Sequence, residues 1–188
     1  SFSKTVTLAP NATQEVSFSP DEFAQLKEQN MKLWWPNGYG TPYLYKAGFE
    51  FATDEGVQSR TCYKAGIRQM TYKDIDNRLT MYINGKRFIT LGGNWGFSEQ
   101  NLLYRGREYD IAVRYHRDIN FNMIRNWVGM TGDEEFYEAC DKYGIMVWQD
   151  FWLANPCDGP DPQNEDMFLA NARDYTLRMR QHPSIGLY

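Results

Sequence analysis

Polar side chains paired with tryptophan follow three short apolar segments of the sequence. The predicted set is Asn94 and Trp95 after the first segment, Arg125, Asn126 and Trp127 after the second, and Asp150 and Trp152 after the third. Amide, guanidinium and carboxylate groups can hydrogen-bond hydroxyl groups, while an indole can cover an apolar C–H face. The combination predicts a binding site for a neutral polyol. Two other readings stay open: the tryptophans could close the rim of a domain, and Arg125 could pair internally with Asp150.

Hydrolysis of a glycosidic bond with retention would need two carboxyl groups roughly 5–5.5 Å apart. Asp150 is the only acid that directly follows a clear predicted strand. The other candidates lie in loops or at predicted helix starts, where acids are usually solvated or stabilise the helix dipole: Glu99, Glu134, Glu135, Asp158, Asp161 and Glu165. The sequence therefore contains no convincing catalytic pair, and we predict no catalytic residue within it.

Composition excludes several classes of partner. The 20 Lys and Arg residues against 24 Asp and Glu residues give a formal net charge of −4, which leaves no basic face for nucleic acid. No apolar run approaches the roughly 20 residues of a membrane span, so no membrane partner is expected. The cysteines and histidines show no metal-ligand spacing, so neither a metal nor another cofactor is predicted: Cys62, Cys140, Cys157, His116 and His182.

The elements that must position the site fall into two parts. Up to about residue 66, short apolar segments between turn signals predict strands of a β-sandwich, at residues 6–10, 14–20, 32–38, 43–51 and 57–66. The pair Asn84-Gly85 then predicts a tight hairpin turn. From residue 88 the pattern is β-α-β-α-β-α-β, with strands at 88–91, 122–128, 145–151 and 185–188 and helices at 107–120, 131–143 and 164–181. Thr131 with Glu134 predicts a capping box, Gly144 predicts the end of the second helix, and Asn164 predicts the start of the third.

Right-handed crossovers make four such strands parallel, in either a doubly wound sheet or a β/α barrel. A doubly wound nucleotide-binding sheet predicts a glycine-rich turn that leads straight into a helix. Gly92-Gly93 is followed instead by Asn94-Trp95 and a long loop, which favours the barrel. Four strands are half of a barrel, so we expect a fragment whose open edges pair with the remainder of its own barrel or by self-association.

Several segments resemble the family 2 glycoside hydrolases, in particular their β-mannosidase and exo-β-glucosaminidase branch. The segments are YINGKRFITLGGNW, NMIRNWVG, DEEFYEACDKYGIMVWQDF and RQHPSIGLY, with WWPNGYGTPYLY and Gly66-Ile67-Arg68 before them. Order and spacing are similar across residues 75–188. The chain departs from the usual pattern at residues 126 and 128–130 and in the loop at 153–161, and both regions bear on which sugar is bound.

The resemblance implies both a fold and an activity. Residues 1–68 would be the C-terminal part of an immunoglobulin-like β-sandwich, and residues 69–188 the first half of a (β/α)8 TIM barrel. The activity implied is that of a retaining, exo-acting β-glycosidase with an oligosaccharide or glycoside substrate, and a periplasmic or secreted location is favoured. Its catalytic glutamates would follow residue 188, while Trp95, Arg125, Trp127 and Asp150 match positions that contact the sugar or orient the carboxylates. A non-catalytic carbohydrate-binding or structural protein on the same scaffold is the alternative.

Overall fold

The computed structural model describes residues 1–27, 30–96, 105–153 and 161–188. The chain divides into two compact units, Ser1–Lys32 and Leu33–Tyr188. In the first unit the rings of Phe2, Phe18 and Phe23 pack together, with centroids 4.7–5.6 Å apart. A single 3-10 turn, Ala24–Lys27, is the only helical or strand element in the described part of this unit.

All three strands predicted before residue 40 are therefore wrong. The described residues of segments 6–10 and 14–20 form no strand, and within 32–38 only Trp34 makes a bridge, to Pro42. An apolar alternation can form a strand only where a neighbouring strand accepts its backbone hydrogen bonds, and these segments have no such neighbour in the structure.

Five antiparallel strands follow in two small sheets. Strands β1 (Tyr45–Thr53) and β2 (Gly56–Ala65) form a hairpin, and β3 (Met70–Ile75), β4 (Arg78–Ile83) and β5 (Lys86–Phe88) form a three-stranded sheet. Asn84 and Gly85 have φ values of 49° and 79° between β4 and β5. Both values lie in the left-handed region that a type I′ turn requires, which confirms the predicted turn.

A four-stranded parallel sheet forms the main body of the second unit. Its strands are β6 (Gly92–Trp95), β7 (Met123–Asn126), β8 (Met146–Gln149) and β9 (Ile185–Leu187), in that spatial order. Helices α1 (Arg107–Asp118), α2 (Glu134–Tyr143) and α3 (Glu165–Met179) connect them. The predicted alternation of strands and helices is confirmed. The first strand begins at Gly92, however, and not at residue 88.

The close approach of β6 and β7 explains why a glycine begins the sheet. A Cβ placed on Gly92 would lie 1.8 Å from the carbonyl oxygen of Met123, so no larger residue fits. The apolar segment at 88–91 instead ends the antiparallel sheet at Phe88, and Leu91 accepts the backbone N–H of Asn122 at 2.8 Å.

The predicted helix ends are partly confirmed. The side chain of Asn164 caps α3 by accepting the N–H of Met167, and Gly144 ends α2 with a φ of 72°. The predicted capping box at Thr131 is wrong because the helix begins two residues later, after Asp133. The Thr131 hydroxyl lies instead 2.6 Å from the hydroxyl of Tyr109.

Two apolar clusters cover the two faces of the parallel sheet. On one face the helices bury a large cluster that includes Phe136, Ile124 and Val147. On the other face, Met123 and Met146 pack with Trp34 and residues of the antiparallel sheet. The second cluster lies at the amino end of the strands, so the carboxyl end of that face is left for other contacts.

Candidate functional site at the carboxyl end of the parallel sheet

The strand register arranges the predicted site residues in two rows on opposite faces of the sheet. Asn94, Arg125 and Trp148 are direct partners across β6, β7 and β8. The next residue of each strand forms the second row, which consists of Trp95, Asn126 and Gln149. Successive side chains of a strand point to opposite faces of the sheet. A ligand bound on one face therefore contacts only one of the two rows. We call the first the open row and the second the buried row.

The open row lines a cavity of about 200 Å³ that runs along this face of strands β6 to β8. Thr90, Gly92, Gly93 and Met123 complete its wall. The guanidinium of Arg125 lies 4.6 Å above the centroid of the Trp148 ring, and the indole remains 39 % exposed. This pairing holds the cation against an aromatic face and leaves an apolar ring surface beside polar groups.

Asp150 holds Arg125 in this position. Its carboxylate accepts the Nε–H of Arg125 at 3.0–3.1 Å, and Nη2 lies 2.8 Å from Oδ2. The same Oδ2 accepts the backbone N–H of Val128 at 3.1 Å. The internal pairing left open by the sequence is therefore present. Arg125 and Asp150 cancel each other's charge, so the open row offers a neutral, hydrogen-bonding surface.

The loop after β7 is bent sharply where it meets Asp150. Val128 and Gly129 have φ values of 51° and 62°, which a β-branched residue such as Val128 adopts only under strain. The hydrogen bond from Val128 to Asp150 offsets part of that cost. The bend leaves the indole of Trp127 40 % exposed at the end of the strand.

The buried row forms a hydrogen-bonded network behind the sheet. Asn126 and Gln149 are fully buried, and the amide of Asn126 donates to Oε1 of Gln149 at 2.9 Å and to the carbonyl of Thr131 at 2.8 Å. The Tyr137 hydroxyl donates to the same Oε1 at 2.6 Å and also contacts the Tyr175 hydroxyl. Burial raises the pKa of Tyr137 well above its usual value, which keeps the network neutral.

The structure thus separates residues that the sequence grouped together. Asn94, Arg125 and Asp150 meet at the open row, whereas Asn126 supports the strand ends from behind. Trp95 is 7 % exposed, and its ring packs near His116 and Phe136 on the helix side.

Trp152 lies on the helix side too, against α3. Its ring stands edge-on to Tyr175 and Phe168, at centroid distances of 5.5 and 6.1 Å. It is therefore not part of the open row. Two of the candidate acids, Glu99 and Asp158, lie outside the described residues.

Sequence reasoning missed one member of the open row, Trp148. Strand alternation could have indicated it, because Trp148 stands two residues before Asp150, with the buried Gln149 between them. The predicted strands are longer than the observed ones, so the prediction does not say on which face of the sheet each side chain lies.

The described ranges offer little for a metal or a membrane. Between residues 1–27, 30–96, 105–153 and 161–188, no cluster of three or more His, Cys, Asp or Glu side chains could hold a metal ion. No helix in these ranges is long and apolar enough to cross a membrane. Of the cysteines in these ranges, Cys62 is exposed and Cys140 is buried, and both are free thiols.

Known proteins match the chain over nearly its whole length. Residues 2–68 match the sequence profile described as Glycosyl hydrolases family 2. A mannosylglycoprotein endo-beta-mannosidase of Lilium longiflorum is 35 % identical over 94 % of the chain, and an exo-beta-D-glucosaminidase of Streptomyces avermitilis is 27 % identical over 98 %. The chain spans only 20 % and 22 % of the length of these two relatives.

Solved structures give the same picture. A beta-D-mannosidase from Dictyoglomus thermophilum superimposes with a TM-score of 0.67 and 29 % identity, over 84 % of this chain and 20 % of that protein. An exo-chitosanase from Amycolatopsis orientalis reaches a TM-score of 0.69 at 21 % identity over 81 % of this chain and 19 % of that one, a likeness in fold alone. Mixed α/β architecture is therefore common to the chain and these enzymes.

Proposed function

We propose that this chain, which belongs to glycosyl hydrolases family 2, is a portion of a retaining β-glycosidase that acts exo on terminal β-linked sugars. The match to the family profile ends at residue 68, and the parallel sheet with its three connecting helices follows it. Both observations support an arrangement in which residues 1–68 are part of an immunoglobulin-like sandwich and residues 69–188 are the first half of a (β/α)8 barrel. The outer strands β6 and β9 would then pair with the remaining strands of the barrel.

The open row is the observation that supports sugar binding. Asn94 supplies an amide, Arg125 supplies N–H donors fixed by Asp150, and Trp148 supplies a partly exposed ring face. These groups lie at the carboxyl end of parallel strands, which is where barrel enzymes bind their substrates. Because the charges of Arg125 and Asp150 cancel, the row suits a neutral mannoside or a glucosaminide-like sugar bound through its hydroxyls better than an anionic sugar.

Catalysis would need carboxyl groups in addition to those of the open row. A retaining glycosidase uses one carboxylate as nucleophile, which forms a glycosyl-enzyme intermediate, and a second carboxyl group as acid and then base. Asp150 is committed to Arg125 and Val128, so it is poorly placed for either role. We assign the catalytic pair to parts of the protein outside these 188 residues, since the curated relatives are about five times longer than the chain.

Binding by the open row can be tested on the chain itself. Methyl β-D-mannopyranoside, titrated in a calorimeter or followed by amide chemical shifts, should bind weakly to the wild type. Binding should be lost in Trp148→Ala. Tyr115→Ala is a matched control because Tyr115 is 58 % exposed on α1, away from the open row. Equal binding by the Trp148 variant and the wild type would remove the open row from the proposal.

Catalysis is tested by comparing the chain with the full product of its gene. The longer protein should hydrolyse aryl β-glycosides with retention of configuration, and the chain alone should not. Turnover by the chain would show that its own acids are catalytic. Sugar binding without turnover by the full protein would favour the alternative, a non-catalytic carbohydrate-binding protein on this scaffold.

A further inference from the structure

A second depression lies on the helix side of the sheet, against α3. It has a volume of about 410 Å³ and is lined by Trp152, Asn171, Asp174, Tyr175 and Arg178. The depression is open to solvent, so it could hold one face of a ligand and not enclose it. None of these residues belongs to the open row, so the depression is a separate surface.

The helix spacing brings its polar groups to one side. Asn171, Asp174, Tyr175 and Arg178 stand at positions i, i+3, i+4 and i+7 of α3, which share one face of a helix. Asn171 and Asp174 are exposed, and among the described residues no hydrogen bond or ion pair engages their side chains. An amide and a carboxylate are therefore free to meet a ligand at this face.

The remaining side chains of the depression are held in place. Nη2 of Arg178 donates to the carbonyl of Gly132 at 2.9 Å, and its guanidinium lies 5.5 Å from the centroid of Tyr175. Trp152 stands edge-on to Tyr175 with an interplanar angle of 73° and is 44 % exposed. A fixed indole, open on one side, costs little conformational entropy when a ligand stacks on it.

From this geometry we propose that the depression is a second saccharide-binding site, which takes a neutral pyranose unit of an oligosaccharide. The indole of Trp152 covers one face of the ring, Asn171 and Asp174 read its hydroxyls, and Arg178 adds a donor at the rim. Asp174 and Arg178 carry opposite charges, so the surface has no net charge and does not select an ionised sugar. The site needs no catalytic group and does not depend on whether the whole protein hydrolyses its ligand.

The test uses amide chemical shifts of the chain during titration with β-linked mannotriose and, in a second series, cellotriose. The amide resonances of Asn171 and Asp174 should shift as saccharide is added, with a titration curve that differs from that of the open-row amides. Trp152→Ala should weaken binding at these amides about tenfold, since it removes the stacking surface, whereas Trp152→Phe should keep most of it. The double variant Asn171→Ala/Asp174→Ala should have a similar effect while keeping the wild-type melting temperature. Arg173→Ala is the control, because Arg173 is exposed on the same helix and does not line the depression.

The two sites are distinguished by one further variant. Trp148→Ala should abolish shifts at the open row and leave those at Asn171 and Asp174 unchanged. If neither oligosaccharide moves the α3 amides, or if Trp152→Ala changes their titration by less than twofold, the second site does not exist. Shifts at α3 without shifts at the open row would overturn the proposed function and leave this inference standing.

Discussion

His182 lies between two carboxylates. Its Nδ1 is 2.6 Å from Oδ2 of Asp141, and its Nε2 is 2.8 Å from Oε1 of Glu134. A neutral imidazole has one N–H, whereas these two acceptors require two, so the geometry favours the imidazolium. The charged ring joins α2 to the turn before β9, where Asp141 also accepts the N–H of Ser184.

Replacing His182 by glutamine should lower the free energy of unfolding by about 3 kcal/mol. Removing one partner of a buried ion pair costs roughly 3–5 kcal/mol. The lower end applies because Asp141, whose side chain is 4 % exposed, keeps its bond from Ser184, and because Glu134 is 41 % exposed and is therefore partly solvated. For a chain of this length, 1 kcal/mol corresponds to about 2–4 °C in melting temperature, so the variant should melt about 6–12 °C lower.

The same contact predicts a pH dependence with a definite sign. Burial by itself lowers the pKa of His182, but the hydrogen bond and charge of Asp141, with Glu134, outweigh burial and raise the pKa above its usual value. The unfolded chain has a histidine pKa of about 6.5. The stabilisation is therefore complete below about pH 6.5 and is lost as the pH rises through the higher folded-state pKa.

Thermal melts followed by circular dichroism test both the loss of stability in the variant and its pH dependence. They are recorded at about pH 6 and about pH 9, below and above the pH range in which histidine titrates. The wild type should lose stability between the two values, and His182→Gln should lose much less. His116→Gln is the control, because the ring of the other histidine donates a single bond, from Nδ1 to the carbonyl oxygen of Ala112, worth about 1 kcal/mol. A His182 variant that melts with the wild type, or that keeps its pH dependence, would refute the reasoning.

Three further predictions follow from contacts in the second unit. Gly92→Ala should unfold the parallel sheet, since its Cβ would lie 1.8 Å from the carbonyl oxygen of Met123. Gly93→Ala should be tolerated, because no atom lies within 4 Å of the added Cβ. The melting curves of the two variants test this, and equal stability would contradict the reasoning. Arg68→Met should lower the free energy of unfolding by about 2–3 kcal/mol, because the Arg68 guanidinium donates to the carbonyls of Pro183 and Ile185, just before and at the start of β9. The midpoint of urea unfolding measures this loss; Arg87→Met, at an exposed residue, is the control, and a midpoint no lower than that of the control would count against this anchor. Tyr137→Phe should cost about 0.5–1.5 kcal/mol, since it removes the bond that the hydroxyl donates to Gln149 while Asn126 still donates to the same oxygen. The variant should also broaden the amide resonances of residues 126–131, and unchanged spectra would show that the network does not hold that loop.

Local signals in the sequence were sufficient for the order of most elements. Asn84-Gly85 predicted a turn, Asn164 a helix start and Gly144 a helix end, because each depends on the conformation or hydrogen bonding of one or two residues. The prediction was wrong where pairing decides the outcome. Residues 6–10 and 14–20 have the alternation of strands, but the structure gives them no neighbouring strand.

The site residues, too, depend partly on local sequence and partly on strand pairing. The sequence by itself determined that amides, Arg125, Asp150 and indoles cluster at the ends of three strands. Which of them share a face was decided by the register of the sheet, because a shift of one residue moves a side chain to the opposite face. The tertiary structure decided that Asn126 lies behind the open row and Trp152 against α3, since the face on which a side chain lies depends on where each strand meets its neighbour. Trp148 could have been inferred from strand alternation, but its contact with Arg125 is visible only in the structure.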